Sequence, residues 1–526
     1  MLLALRQDRP AALAALAALA LFLGLAIFGA RFHWVEEAGT AERDGYVAQA
    51  DQILAGNAPV DAFRPPLYPY AIAALGRLTG DTFGTARLLS NLSAAALAWL
   101  AFAFGRRLAG DSHGGLAGAL AMALVAANPS TWILGQHVTT DMPFAALAGA
   151  ALLAGLAYLE RPSTTAALCA GLAYGAAACT RGNAVLILPG LLAAWWLSAR
   201  SERGGGRELR RTSHLAAAAL LAAAVLTPHW ILRAHLFGSA LYDENWKNLL
   251  WKLHGYPDWS KLAAIPAGGS FGQILRSEPG AVIAGAGSEL WRLIAGGLAQ
   301  LLGTPLHVLA AAAGAALCVR RHSRPAIWLL ATLALFTFGV ATAFFAWGRF
   351  LLILLPAAAA CTAAGALSLD LDLPRRRVLA AVAAALVAVL AVKTAVFRLP
   401  AFIELHPYAD VAALQGLERQ LPPGQGLAGT SPFLERYLAH SYLAIPDAFG
   451  EQIAMPALYL DTLIETLRKR RVAFLVADAI DLRDRPRALL GEGAPPPGLE
   501  LVSRAAGVTT WRVTLEPPKP GTRTVP

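Results

Sequence analysis

Charged residues are scarce in this sequence of 526 amino acids, at 15% of the total, whereas hydrophobic residues make up 56%. Too few polar residues remain to cover the surfaces of several soluble domains, so this composition excludes a soluble multidomain protein. Several Ala- and Leu-rich runs instead approach the roughly 20 residues that cross a bilayer as a helix. The composition therefore predicts a multi-pass α-helical membrane protein.

Cysteine is also rare, and its four positions lie in or beside apolar runs: Cys169, Cys179, Cys318 and Cys361. Their spacing fits neither a disulfide framework nor a metal site, so we interpret them as small packed side chains. The sequence contains no phosphate-cradling Gly-Lys-Ser/Thr loop, no His-Glu-x-x-His helix and no Ser-centred nucleophile elbow. These absences weigh against ATP-driven chemistry and against a covalent nucleophile.

About eleven apolar runs are candidate membrane spans. They cover residues 11–30, 88–104, 115–127, 142–158, 165–179, 184–197, 215–232, 294–318, 326–345, 351–367 and 378–396. Arginine-rich loops such as Arg106-Arg107 and Arg375-Arg376-Arg377 all fall on one side of this arrangement, which predicts that they are cytoplasmic together with the N-terminus. Membrane orientation thus accounts for the net charge of +10, and no nucleic-acid partner is expected.

After the last span the composition becomes more polar, which indicates a separate region. Residues 1–397 are predicted to form the transmembrane domain, with extracytoplasmic loops at 32–87 and 233–290, and residues 398–526 a small extracytoplasmic α/β domain. Within the latter, an amphipathic helix is predicted over His406 to Gln420. Strands are predicted at Val472 to Val476, Leu499 to Ser503 and Thr509 to Thr514.

The first polar stretch after a span runs from Phe32 to Tyr70, and its residue pattern is not that of a simple linker. It contains the carboxylates Glu42 and Asp44, followed by an amphipathic helix that begins near Tyr46 and then by a stiff turn with the sequence Arg-Pro-Pro-Leu-Tyr-Pro. A carboxylate held at a bilayer surface is a candidate base. The alternative is that these acids are solvated, or that they cap the helix.

A second acid, Asp141, precedes an apolar run and follows His137 by four positions. An Asp in this position is often a helix N-cap. An ionisable group at the edge of the hydrocarbon is nevertheless costly, and such groups tend to be functional. Both interpretations remain open at this point.

Together these motifs resemble the polytopic GT-C glycosyltransferases related to protein O-mannosyltransferases and lipid A aminoarabinose transferases. In that group the first outer loop carries an acid, then a Tyr, an Ala, an aliphatic residue and a Gly at the spacing seen here, and then a similar proline turn. A Thr-Asp pair like Thr140-Asp141 and an Arg-aromatic pair like Arg349-Phe350 also occur. The motifs cover the first third of the chain, and the remainder resembles the group in topology.

The resemblance implies a GT-C-like enzyme of the bacterial inner membrane that takes one sugar from a polyprenyl-phosphate donor, with inversion. The acceptor would be a lipid, a protein or a glycan. Glu42 or Asp44 would be the base, since the position of the acid in the group corresponds to Glu42 while the nearest Asp is Asp44, and Asp141 would be a further catalytic acid. The groups expected to bind donor phosphate or substrate are Arg64, Tyr68, His137, Arg181, Lys247 and Arg349.

Other positive groups in the outer loop could serve the same phosphate, namely Arg233, His235 and Lys252. A divalent cation is left open, because His137 stands where the resembling enzymes often have Glu. Two other classes of protein compete with an enzyme: a transporter or flippase of a lipid-linked sugar, and a non-catalytic envelope assembly protein. A transporter predicts acids at mid-membrane and repeated halves, whereas the acids here lie in loops and no internal repeat is found.

Overall fold

The computed structural model describes residues 8–32, 45–59, 61, 63–110, 113–200, 206–254, 269–321, 323–346, 348–367, 369, 373–404, 415–421, 423–429, 442–444, 456–478, 495–505 and 508–514. The chain divides into two compact units. The larger unit holds nearly all described residues up to Phe402, and the smaller one holds those from Ile403 onward.

Helices form the larger unit. In its first half they are α1 (Arg9–Phe32), α2 (Tyr46–Leu54), α3 (Leu67–Thr79), α4 (Thr82–Ala109), α5 (Gly114–Ala126), α6 (Pro129–Gln136), α7 (Asp141–Glu160), α8 (Thr164–Ala178), α9 (Leu188–Arg200) and α10 (Gly206–Phe237). In its second half they are α11 (Trp246–His254), α12 (Phe271–Ser277), α13 (Pro279–Arg292), α14 (Leu298–Leu302), α15 (Pro305–Arg320), α16 (Arg324–Ala343), α17 (Leu354–Leu367), α18 (Leu373–Val392) and α19 (Leu399–Glu404). Short 3₁₀ turns at Gly182–Ile187 and Gly348–Leu351 precede α9 and α17.

Among the described residues, six helices are long and apolar enough to cross a membrane, and up to eight segments qualify if each of two bent pairs counts as one span. Three shorter apolar helices, α8, α9 with its preceding turn, and α17, complete the set. The positions of these segments coincide with the eleven predicted apolar runs. The prediction of a polytopic helical membrane protein is therefore confirmed.

Two of the apolar segments are bent, and their sequences explain why. The pair α5–α6 bends by 57° at Asn128, whose side chain accepts a hydrogen bond from Ser130 N at 2.8 Å and so caps the new helix ahead of Pro129. The pair α13–α15 bends by 98° at Gly303, which has φ of 105° and is soon followed by Pro305. A glycine at positive φ ends one helix, and a proline in the first turn starts the next.

Acidic residues stand at both ends of α7. At one end Arg106 pairs with Asp8, and Arg107 pairs with Glu160, the last residue of α7. The first residue of α7 is Asp141, so the 20-residue helix separates it from Glu160 by about 30 Å, roughly the thickness of the hydrocarbon core. Asp141 and the arginine-rich C-terminal end of α4 thus lie about one hydrocarbon thickness apart.

A five-stranded sheet forms the described core of the smaller unit. Its strands are β1 (Gly426–Gly429), β2 (Tyr442–Ala444), β3 (Val472–Asp478), β4 (Leu499–Ala505) and β5 (Val508–Val513), in the order β2-β1-β3-β5-β4. β1 pairs in parallel with β2 and β3, whereas β5 is antiparallel to β3 and β4. Helix α20 (Pro456–Lys469) contributes Leu463 and Leu467 to a core that contains Trp511.

The three strands predicted for this unit correspond to β3, β4 and β5. β1 and β2 were not expected, because Gly426–Gly429 and Tyr442–Ala444 are too short to show a strand period in the sequence. Most of the helix predicted over His406 to Gln420 lies outside the described residues, and residues 415–418 of it are helical.

Candidate active site

Asp141 is the buried anion of an ionic cluster at the start of α7. Its side chain is 2% exposed, pairs with Arg181, and accepts a hydrogen bond from Thr139 Oγ1 at 2.9 Å. The N-cap of α7 is Thr140, which makes no side-chain capping hydrogen bond. Asp141 is therefore not the N-cap residue of α7, and its functional role stays a prediction.

Two arginines distant in sequence converge on Asp141. Arg181 follows α8, and Arg349 lies in the 3₁₀ turn before α17. Arg349 Nη1 is 3.9 Å from Asp141 Oδ2, and the guanidinium carbons of both arginines lie 4.7 Å from the centre of the Phe350 ring. Two cations around one carboxylate give the cluster a formal charge of +1.

The arginines of this cluster are more accessible than its carboxylate. The side chains of Arg181 and Arg349 are 19% and 28% exposed, compared with 2% for Asp141. Phe350 lies beneath both guanidinium groups, within the distance at which an aromatic face attracts a cation. An anion can therefore approach the arginines without displacing Asp141.

Helix α2 connects the first polar loop to this cluster. The hydroxyl oxygens of Tyr46 and Thr140 are 3.1 Å apart in a buried hydrogen bond. The Tyr46 ring packs edge-on against Tyr68 with centroids 5.3 Å apart, and the Arg64 guanidinium carbon lies 5.6 Å from its centre. The predicted helix is present, and its buried face includes Tyr46 and Ala50.

Arg64 is held in a turn organised by Asp61, a residue that the sequence reasoning missed. Asp61 Oδ1 accepts the backbone N–H groups of Phe63 and Arg64 at 2.8 and 2.9 Å, and Asp61 Oδ2 accepts from Arg64 Nη1 at 3.2 Å. Such Asp-led turns have a recognisable signal, an Asp followed within a few residues by prolines. A cleft beside the turn is lined by Gln49, Asp61, Arg64, His229, Arg233 and Phe237.

The segment before α11 joins the two arginine positions. Asn245 Nδ2 donates to the Phe63 carbonyl at 2.8 Å, next to Arg64. A side chain built on Gly182 would place its Cβ 3.6 Å from the same Asn245 nitrogen, so the segment also lies against the residue that follows Arg181. Nothing in the sequence marks Asn245 for this role, because its partners are reached only in the fold.

Three predicted binding residues have other partners in the structure. The Tyr68 hydroxyl donates to the Ala86 carbonyl at 3.0 Å, and Tyr68 is 3% exposed. The carbonyl of His137 accepts from Ser90 Oγ at 2.6 Å. Lys247 is buried and pairs with Glu244 at 2.9 Å. These residues lie in or near the site, but the geometry gives Tyr68 and Lys247 supporting contacts rather than accessible groups.

The remaining candidates are distributed as follows. Arg233 is buried beside the cleft, where it interacts electrostatically with Asp61 and Asp243, and His235 is exposed. Lys252 donates hydrogen bonds to backbone carbonyls at the end of α16.

Glu42 and Asp44 lie outside the described residues, and their role stays a prediction. Within the described ranges, no group of three or more His, Cys, Asp or Glu side chains could hold a metal ion.

Part of the chain matches a known protein family in sequence. Residues 63–232 match the sequence profile of the dolichyl-phosphate-mannose-protein mannosyltransferase family. This stretch includes Arg64, Asp141 and Arg181. No curated protein matches the chain by sequence.

Two solved structures are similar to the whole chain. One is ArnT from Cupriavidus metallidurans in the apo state, with 17% sequence identity, coverage of 96% of this chain and 100% of that chain, and a TM-score of 0.53. The other is the oligosaccharyltransferase from Archaeoglobus fulgidus in the apo form, with 14% identity, coverage of 90% and 69%, and a TM-score of 0.53. At such identities the similarity establishes the fold.

The matched profile covers the turn at Arg64 and two members of the ionic cluster, Asp141 and Arg181, and the shared fold extends over nearly the whole chain. Both agree with the resemblance predicted from the sequence motifs. The chain therefore has the fold of the GT-C glycosyltransferase ArnT, and over residues 63–232 it resembles the protein mannosyltransferases in sequence.

Proposed function

We propose that the protein transfers one sugar from a polyprenyl-phosphate donor to an acceptor at the outer face of the bacterial inner membrane. The observation that carries this proposal is the cluster of Asp141, Arg181 and Arg349 at the start of a membrane-spanning helix. Its formal charge of +1 and its partly exposed guanidinium groups suit a phosphate. The matched family is named for a dolichyl-phosphate sugar, which supports a polyprenyl phosphate as the source.

Asp141 suits an orienting role better than that of the base. Its carboxylate already contacts Arg181, Arg349 and Thr139, so taking up a proton would weaken every one of these contacts. The base is therefore assigned to Glu42 or Asp44. Both precede Tyr46 by a few residues in the chain, and Tyr46 is hydrogen-bonded to the residue before Asp141.

The proposed reaction is a single displacement. The base takes a proton from an acceptor hydroxyl or amine while the acceptor oxygen or nitrogen bonds to the anomeric carbon. The bond between that carbon and the phosphate oxygen breaks on the opposite face, which inverts the centre and releases a polyprenyl monophosphate with the bonding electrons. Arg181 and Arg349 would offset the negative charge that develops on the leaving oxygen.

The orientation of the chain is part of the proposal. Arginine-rich ends of spans are expected in the cytoplasm, and Arg106 and Arg107 are ion-paired about one bilayer thickness away from Asp141. The Asp141 cluster would then face the extracytoplasmic side. A lipid-linked donor there would keep its tail among the helices while its sugar reaches the acceptor in water.

Purified protein in liposomes, supplied with radiolabelled undecaprenyl-phosphate sugars and envelope lipids as acceptors, tests the proposal. Arg181→Met and Arg349→Met should each lower the transfer rate by about 100-fold, since they remove a cation from the developing charge. The matched control is Arg107→Met, at the other end of the bundle, which should retain activity. Full activity in both site variants would refute the assignment.

The base is tested by the same assay with Glu42→Gln, Asp44→Asn and the double variant. One single variant should lose transfer, and unchanged activity in all three would exclude this loop as the source of the base. A wild-type protein that moves labelled donor lipid across the bilayer without forming a glycosidic bond would favour the flippase hypothesis. A protein with neither activity would favour the assembly hypothesis.

A further inference from the structure

Helix α11 and the residue before it contact two segments that border the ionic cluster. At its start, Asn245 Nδ2 donates to the Phe63 carbonyl next to Arg64 at 2.8 Å. Near its end, Lys252 Nζ donates to the carbonyl of Ala341 and, at 3.4 Å, to that of Thr342. The two contacts connect the first outer loop to the end of α16, the helix that precedes Arg349.

Lys252 acts as a cap on α16 supplied by another helix. The last four carbonyls of an α-helix have no partner within the helix, and α16 ends at Ala343. A cation at this end interacts favourably with the helix dipole as well as with the two carbonyl oxygens. The Lys252 ammonium group therefore binds backbone carbonyls, although its positive charge could also have bound a phosphate.

The turn that leaves α16 is held by further contacts. Buried Glu289 accepts a hydrogen bond from Ala346 N at 3.0 Å and pairs with Arg292 at 2.9 Å. The Phe345 ring packs edge-on against Trp251, the neighbour of Lys252, with centroids 5.1 Å apart. Residues 341–346 are thus fixed by α11 on one side and by α13 on another.

Arg349 follows this turn by three residues and reaches the ionic cluster. Phe344 packs against Phe350 with centroids 5.0 Å apart, so the turn and the 3₁₀ segment that carries Arg349 form one packed unit. The Arg349 Nη1 atom stands 3.9 Å from Asp141 Oδ2, a distance at which a small shift of the backbone makes or breaks the ion pair. The position of the end of α16 therefore controls the position of Arg349.

We propose that Lys252 is a positioning residue, which caps α16 and thereby holds Arg349 beside Asp141 in a conformation that binds the donor phosphate. The inference rests on the proposed function for the identity of that phosphate. Burial lowers the pKa of Lys252 below its ordinary value, while the nearby Glu289 carboxylate favours the charged form that the cap requires.

Two independent measurements on the full-length protein test the inference. Amide hydrogen exchange reports the order of residues 341–351, and native mass spectrometry reports the affinity for undecaprenyl monophosphate. Lys252→Met should speed exchange in this segment and weaken lipid binding, each by about tenfold, the factor that corresponds to a loss of about 1.4 kcal/mol. Lys252→Arg can still donate to the carbonyls, so it should restore most of the exchange protection and most of the lipid affinity. The matched control Lys469→Met, at an exposed residue of the smaller unit, should change neither the exchange rate nor the affinity.

A double-mutant cycle separates positioning from direct contact. If Lys252 acts through Arg349, Lys252→Met should cause no further loss of lipid binding in the Arg349→Met protein. An equal loss in both backgrounds would show that Lys252 contacts the phosphate itself and would overturn the inference. Unchanged exchange over residues 341–351 would also overturn it.

The outcomes for this inference and for the proposed function can be told apart. A wild-type protein that does not bind undecaprenyl monophosphate would contradict the proposed function, whereas hydrogen exchange would still decide whether Lys252 orders the turn. If Lys252→Met does not fold, Glu289→Gln provides a second route, because it keeps the side-chain shape while weakening the acceptor of the Ala346 N–H group. It should reproduce faster exchange over the same segment, and unchanged exchange would count against the inference.

Discussion

Tyr46 and Thr140 stand 94 positions apart in the sequence, and their hydroxyl groups share a buried hydrogen bond of 3.1 Å. Thr140 is the residue before Asp141, and Tyr46 is the first residue of α2. This one bond joins the first polar stretch, from which the base is proposed to come, to the ionic cluster proposed to bind the phosphate. Such a bond can align two parts of a site that belong to different helices.

Tyr46→Phe should weaken this alignment without disturbing the packing. The ring contacts with Tyr68 and Arg64 remain, and only the hydroxyl is lost, so we expect destabilisation by about 1 kcal/mol. Thermal unfolding in detergent measures this change in stability. The rate of sugar transfer should fall by a larger fraction than the free energy of unfolding. Combining the change with Thr140→Val should give less than the sum of the two single effects. Additive effects would show that the two hydroxyls do not interact.

Asp141→Asn should destabilise the protein more strongly than Tyr46→Phe. Removing one partner of a buried ion pair leaves the other charge uncompensated, at a cost of about 3 kcal/mol. Arg181→Met combined with Asp141→Asn removes the nearer of the two uncompensated cations, so the double variant should unfold at a higher temperature than Asp141→Asn alone. A double variant less stable than either single variant would contradict the ion pair as the source of the effect.

The sequence predicted the helical architecture well because each apolar run marks a span independently of its neighbours. The sequence also makes Asp141, Arg181 and Arg349 candidates, from a costly charge at the membrane edge, from the cations that a phosphate needs and from a motif resemblance, and their roles stay predictions. Their convergence on one carboxylate could not be read from the sequence, because it depends on how α7, α8 and the segment before α17 pack. The same limit applies to the contact between Tyr46 and Thr140.

Lys247 and Lys252 show which contacts can be predicted from the sequence and which cannot. Lys247 and Lys252 both lie in the outer loop, and their charge alone suggested phosphate binding. In the structure Lys247 pairs with Glu244, three residues away, a partner that helical spacing could have indicated. Lys252 instead contacts the end of α16, about 90 residues away, which no local pattern could indicate. A charge in a sequence specifies what a residue can bind, whereas the fold determines its partner.

Gly171 should tolerate no side chain, because α8 and α10 approach closely there. A Cβ on Gly171 would lie 2.2 Å from the Ala218 carbonyl oxygen, so Gly171→Ala should force the helices apart and cost about 1–3 kcal/mol. Gly287 in α13 is the matched control, since a Cβ there meets nothing within 4 Å. Gly287→Ala should leave thermal stability unchanged or raise it by up to about 1 kcal/mol through helix propensity. Equal effects at the two positions would contradict the close contact.

The proposed orientation predicts opposite sides for two accessible parts of the chain. The arginine-rich segment around residues 200–211 includes the end of α9 and the start of α10, and α10 leads towards Asn245. This segment should therefore be cytoplasmic, while the smaller unit after Phe402 should be extracytoplasmic. Alkaline phosphatase, which is active only outside the cytoplasm, should be active when fused after Pro526 and inactive when inserted near Gly204. Green fluorescent protein, which fluoresces in the cytoplasm, should give the reverse pattern. If both fusion sites report the same side, an even number of crossings separates them, and the Asp141 cluster and the smaller unit could not both face the outer surface where the donor phosphate is proposed to bind.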